Sequence, residues 1–155
     1  MRAPSQPLRR SRRAQAGFSL LESLCALLLF SVGVLGVMGL QSTATRQATA
    51  AEFRSTAAML ANDLIARMWL SDRTAATLQA SYDSDKAGTG YTSWLAAVRT
   101  SGLPGVSDLP PSVHFQTVAG GGTAATASSL ATITISWKAP GDTSAHQYTA
   151  LAQLK

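Results

Sequence analysis

From Leu24 to Leu40 the chain reads LCALLLFSVGVLGVMGL without one charged side chain, and carrying the run back to Phe18 adds only Glu22. A stretch this long and this apolar calls for a helix surrounded by lipid or by other apolar helices. As a helix, residues 18–40 would extend about 34 Å at about 1.5 Å per residue, enough to cross a hydrocarbon core of about 30 Å. Arg2, Arg9, Arg10, Arg12 and Arg13 precede the stretch with no acidic residue among them, while only Arg46 follows it closely. The positive-inside bias therefore predicts a single-pass topology with a cytoplasmic N-terminus and residues beyond 41 on the far side.

A secretory signal peptide shares the basic start and the apolar core, but its cleavage site follows the core after small residues. Here the core runs into VMGLQSTATRQATA, where Ser42-Thr43-Ala44 is a poor match. The run is also longer than a signal core, so a retained anchor is expected.

Charge is the next constraint. The 155 residues leave room for one modest globular domain beside the apolar segment. Net charge is +5 and the isoelectric point about 10.0, values that raise the question of nucleic acid. Without residues 1–17, however, eight basic side chains face eight acidic ones, and the net charge is zero. The basic character thus resides in the first seventeen positions, and a DNA partner finds no support in the charge of the remainder. The one cysteine, Cys25, sits inside the apolar run and reads as a small buried hydrophobe. An intramolecular disulfide is excluded, so the head must hold by packing.

Glu22 is the anomaly of the apolar segment. A carboxylate at the bilayer midplane costs about 2.5 to 3.5 kcal/mol on insertion scales, less near the interface. It is either a glutamate snorkelling at the edge of an anchor or one that has a partner, and an α-amine created at Phe18 would supply that partner.

The arginine-rich start, then Gly17-Phe18-Ser19-Leu20-Leu21-Glu22, then the apolar run, resembles the leader of type IV prepilins and of the pseudopilins of type II secretion. By that resemblance, prepilin peptidase cuts after Gly17 on the cytoplasmic side and methylates the new N-terminus, making Phe18 an N-methylphenylalanine. Glu22 becomes the fifth residue of the mature chain, the one needed for docking into the fibre. The resemblance further implies an α+β, pilin-like fold, in which a long N-terminal helix packs on a small antiparallel sheet. The implied parts are a cleaved leader over 1–17, a transmembrane and fibre-core half-helix over 18–40, an amphipathic half over 41–72, and a globular head over 73–155.

Gly33, Gly36 and Gly39 recur every three residues, each costing about 0.5 to 1 kcal/mol relative to alanine in a helix interior. Membrane helices tolerate glycine, and small residues let helices approach closely. Many major pilins carry a proline late in this segment. This chain has none there, so Gly36 and Gly39 are the expected soft point of the helix.

Between Gln41 and Asp72 there is no glycine or proline and alanine is abundant, which predicts continued helix. Phe53, Ala57, Leu60, Leu64 and Met68 form one apolar stripe. Arg54, Asn62 and Arg67 lie opposite it, and Asp63 with Arg67 makes an i, i+4 pair. Residues 75–82 are compatible with helix, 83–88 read as a loop, and Tyr91 to Arg99 places Tyr91, Trp94, Leu95 and Val98 at helical spacing before Gly102-Leu103-Pro104-Gly105 ends it.

The last third alternates with period two. Val113 to Thr117 and Ile133 to Trp137 read as half-buried strands, His146 to Leu151 as a third, and the glycine-rich stretch from Gly120 to Ser129 as a flexible loop. Head packing is assigned to Phe53, Leu60, Leu64, Met68, Trp94 and Trp137.

Signs of chemistry are sparse. Asp83 and Asp85 invite a calcium reading, but the following ligands and the glutamate of an EF-hand are missing. His114 and His146 fall on separate strands with no ligand at metal spacing. No nucleophile, base and orienter pattern is present, so no enzyme activity, catalytic residue, metal or cofactor is expected.

Within the pilin-like group the chain is similar to the PilV family of type IV pilus modification proteins. The similarity rests on Gly33-Val34-Leu35-Gly36 leading to Gly39-Leu40-Gln41, on Leu60-Ala61-Asn62-Asp63-Leu64-Ile65-Ala66-Arg67-Met68, on the Trp94 helix ending in Leu103-Pro104-Gly105, and on Ile133-Thr134-Ile135-Ser136-Trp137. The disulfide that many major pilins carry is missing, which points to a minor subunit. The resemblance implies a bacterial inner-membrane precursor with a periplasmic head that later joins a pilus fibre used in adhesion or twitching motility. Its implied partners are prepilin peptidase, other minor and major pilins, the inner-membrane assembly platform and membrane lipid. A minor pseudopilin of type II secretion, and a tip-located module that binds DNA or a surface, are the alternatives.

Overall fold

The structure is a computed structural model, and it describes residues 16–119 and 127–155. Its first element is a single helix, α1 (Ala16–Leu70), unbroken by any proline. The chain divides into two compact units at Ala48 and Thr49, and α1 contributes to both.

Within the first unit, the helix from Phe18 onward is apolar and exposed, long and hydrophobic enough to cross a membrane. Its hydroxyls turn inward on their own backbone. Ser23 Oγ donates to Ser19 O at 2.9 Å and Ser31 Oγ to Leu27 O at 2.7 Å. That back-bonding satisfies polar atoms that lipid could not. The helix continues without interruption through Gly33, Gly36 and Gly39.

The second unit, Thr49–Lys155, is α+β: the C-terminal part of α1 packs against a three-stranded antiparallel sheet, with two short helices completing the core. Ala57, Leu60, Ala61, Leu64 and Met68 are buried, and Phe53 is partly buried against them. On the other side Arg54 and Asn62 are exposed, and Arg67 Nε meets Asp63 Oδ2 at 2.9 Å.

The helix expected to reach Asp72 stops at Leu70. Ser71 Oγ donates to Met68 O at 2.9 Å, and Asp72 is engaged in starting the next helix. Its Oδ1 accepts from Thr74 N at 3.0 Å and its Oδ2 from Thr77 Oγ1 at 3.3 Å. Asp72 thus accepts from the backbone N–H of Thr74, the residue preceding the next helix, and from the hydroxyl of Thr77 in its first turn.

Helix α2 (Ala75–Tyr82) leads into a 3-10 helix (Ser84–Lys86) and then α3 (Thr89–Arg99). The segment read as an open loop is therefore ordered: Asp83 accepts from Asp85 N at 3.0 Å, and Ala87, at φ 48°, closes the turn. Gly88 and Gly90 are required for the fit. A Cβ on Gly88 would overlap the carbonyls of Ala80 and Ser81, and one on Gly90 would overlap the Tyr82 ring.

The sheet has the order β1-β2-β3, with β1 (Ser112–Val118), β2 (Ser128–Trp137) and β3 (His146–Leu154). Register runs without a bulge from Ser112 opposite Thr134 to Val118 opposite Ser128, and from Ser129 opposite Leu154 to Trp137 opposite His146. Val113, Ala131, Ile133, Ile135, Trp137, Ala152 and Leu154 are buried. Two differences from the pattern of the sequence stand out. Thr117 is exposed, because β1 leaves the core as it goes. Ser128 and Ser129, read as loop, are buried residues of β2, where ladder pairing supplies backbone bonds that small polar side chains do not advertise. The rest of that expected loop, residues 120–126, lies outside the described residues.

Candidate processing and assembly segment

The bond between Gly17 and Phe18 lies in the first turn of α1, where the opening backbone N–H groups have no helical partner. Glycine is the weakest helix former after proline, so this turn opens at little cost. Phe18 is exposed, as is Glu22. A spacing of four places both on the same face of the helix, within reach of one side chain. Among the described residues Glu22 has no ion-pair partner in the uncut chain. Cleavage would place a positive α-amine on that same face.

Open space surrounds Gly33, Gly36 and Gly39, where an added Cβ would meet no atom within 4 Å. The apolar side chains Leu27, Leu28, Leu35 and Leu40 are likewise exposed. This unit has a surface suited to neighbours, and among the described residues no internal contact explains the glycines.

Residues 12–38 match the family model described as the prokaryotic N-terminal methylation motif. The motif supports a type IV pilin-like protein. The match takes in Gly17, Phe18 and Glu22, and it implies processing by prepilin peptidase and pilin partners in general. Together with the long apolar helix it fits a membrane-anchored pilin. No curated protein and no solved structure matches the chain.

In the second unit the residues assigned to packing occupy the core: Leu60, Leu64, Met68, Trp94 and Trp137 are buried, and Phe53 packs at its margin. Trp94 is fully buried, with its Nε1 donating to Leu60 O at 2.9 Å. Tyr91 donates its hydroxyl to Pro111 O at 2.7 Å. Burial raises the Tyr91 pKa above its ordinary value, with the Arg99 charge opposing and Asp85 reinforcing that shift.

The two histidines have different surroundings. His146 meets Asp142 at 3.0 Å and stacks on Trp137, with centroids 5.9 Å apart. His114 lies beside the aspartates of the 3-10 helix, Nδ1 to Asp85 Oδ2 being 3.8 Å. Sequence spacing did not show this convergence, because His114 belongs to a strand far along the chain from Asp83 and Asp85. Exposed Trp69, with the Arg73 guanidinium 5.4 Å above its ring, was also missed. It interrupts the polar side of α1 and could have been noticed as a large aromatic there.

Proposed function

We propose that the chain is a minor type IV pilin of the PilV kind, which takes part in initiating or modifying pilus assembly. The observation that carries the reading is the methylation motif over residues 12–38, opening directly into an exposed apolar helix. Prepilin peptidase removes residues 1–17, leaving N-methylated Phe18 as the first residue. The cut removes the whole excess of positive charge, so a basic precursor becomes a neutral subunit.

The function assigned is association rather than catalysis. In the membrane the apolar half of α1 anchors the subunit, its N-terminus in the cytoplasm and its head in the periplasm. On entering the fibre, the same surface packs against other pilins through dispersion contacts and close approach at Gly33, Gly36 and Gly39. Glu22 pairs with the α-amine of a neighbouring subunit. In an apolar surrounding, two such charges are costly apart and attract strongly together, which sets the axial register of one helix on another. Gly36 and Gly39 allow the helix to loosen on packing.

Intact mass and N-terminal sequencing of protein extracted from membranes test the reading. A chain beginning at N-methylated Phe18 supports it; one beginning at Met1 or beyond residue 40 rules it out. Co-purification with pilus subunits rather than secretion pseudopilins supports the assignment to a pilus, and the reverse would move it to type II secretion.

A further inference from the structure

We propose that Asp83, Asp85 and His114 form a surface site for a divalent transition cation of the zinc class. Each residue offers a ligand atom, two carboxylate oxygens and one imidazole nitrogen, and all three atoms lie within 4.8 Å of one another. His114 Nδ1 and Asp85 Oδ2 are 3.8 Å apart, a few tenths of an ångström beyond the roughly 3.4 Å between two ligands of a tetrahedral zinc with bonds of about 2.1 Å. The remaining closure, from a spread of up to 4.8 Å, falls to side chains that are exposed or half-exposed.

What brings them together is a fourth residue. Ser84, between the two aspartates, donates its hydroxyl to Val113 O at 3.1 Å and accepts from Val113 N at 3.2 Å. Val113 immediately precedes His114. This reciprocal clasp ties the 3-10 helix to β1 and holds the aspartates next to the imidazole before any ion arrives. Asp83 spends one carboxylate oxygen on Asp85 N at 3.0 Å, which orients the carboxyl and leaves its other oxygen for a ligand.

The donor set selects the ion. Calcium and magnesium take oxygen ligands, calcium six to eight of them, whereas an imidazole with two carboxylates suits zinc and its neighbours. Three protein ligands leave coordination positions to water. The two carboxylates also gather negative charge beside the imidazole, which a dication would neutralise. Bound there, the ion would cross-link the α2–α3 connection to the first strand and stiffen that side of the head.

The test is calorimetric titration of ZnCl2 into the tag-free full chain in detergent, with thermal unfolding followed in parallel. Expected are one zinc per chain, a higher Tm with zinc, and no comparable effect of CaCl2. Asp85→Asn and His114→Gln should each weaken zinc binding at least about tenfold, since even residues that only support ligands contribute about that much. His146→Gln, at the other histidine–aspartate pair, should leave it unchanged. Circular dichroism of the zinc-free variants separates lost ligation from lost folding. Absence of zinc binding, equal binding by either ligand variant, or loss of binding in His146→Gln would each overturn the proposal.

Discussion

The indole of Trp94, on α3, donates its N–H to the carbonyl of Leu60 on α1, 2.9 Å away and fully inside the core. That carbonyl also serves the helix ladder, and with the Tyr82 hydroxyl, which donates to Arg67 O at 3.4 Å, it gives α1 polar contacts to the short helices within largely apolar packing. Burying an indole without a partner for its N–H would be unfavourable, and Leu60 supplies one. The contact sets which side of α1 the head grips.

Replacing this indole shows how much the grip contributes. Trp94→Phe removes the donor and leaves a void, and should destabilise the head by about 1 to 3 kcal/mol. Urea unfolding of the chain, followed by fluorescence of the remaining tryptophans, measures the change. A shift in midpoint with an unchanged slope is the expected result.

Gly90→Ala should cost about 1 to 3 kcal/mol by overpacking, because the added methyl enters the space of the Tyr82 ring. Gly90→Ala combined with Tyr82→Leu should recover part of the loss. Recovery in thermal melts would show that the clash, rather than altered helix propensity, is responsible.

Head stability should decline in alkali through Tyr91. Its folded pKa is raised above the ordinary value of 10.0 chiefly by burial, so the neutral phenol is the form the fold prefers. The contribution is complete below the unfolded-state pKa and is lost as pH rises through the folded one. Tyr91→Phe should be less stable at neutral pH, having lost the bond to Pro111 O, yet show a shallower alkaline decline. Unfolding midpoints measured between pH 8 and pH 11, a range about the phenol's ordinary value, provide the comparison.

Glu22→Ala should leave membrane insertion intact and remove the subunit from sheared fibres, whereas Glu22→Asp should retain partial incorporation. Immunoblots of membrane and fibre fractions distinguish the two. Undiminished incorporation of Glu22→Ala would end the pairing role.

Much of the α+β architecture was legible locally. The apolar run from Leu24 to Leu40 needs no tertiary partner to be recognised, since length and charge alone set its preference for a helix in an apolar medium. The stripe from Phe53 to Met68 and the alternation from Ile133 to Trp137 similarly expose their periods in a single chain segment. Gly17, Phe18 and Glu22 fall within six consecutive positions, so their motif is readable as a string.

Other features depend on residues far apart. Ser128 and Ser129 became strand because β1 and β3 offered ladder partners, which no property of serine announces. Asp72 lies beyond the end of α1 and accepts hydrogen bonds from Thr74 and Thr77 at the start of α2. Gly90 looked unremarkable until Tyr82 occupied the space beside it. The meeting of Asp83 and Asp85 with His114 follows from Ser84 clasping Val113 across twenty-nine positions. Local composition therefore established the apolar helix and the strand periods, because each is a free-energy preference of neighbouring residues, and the methylation motif is carried by adjacent positions. Folding alone brought the aspartates to the histidine and Trp94 to Leu60, because contacts between distant segments exist only once a common core has aligned them.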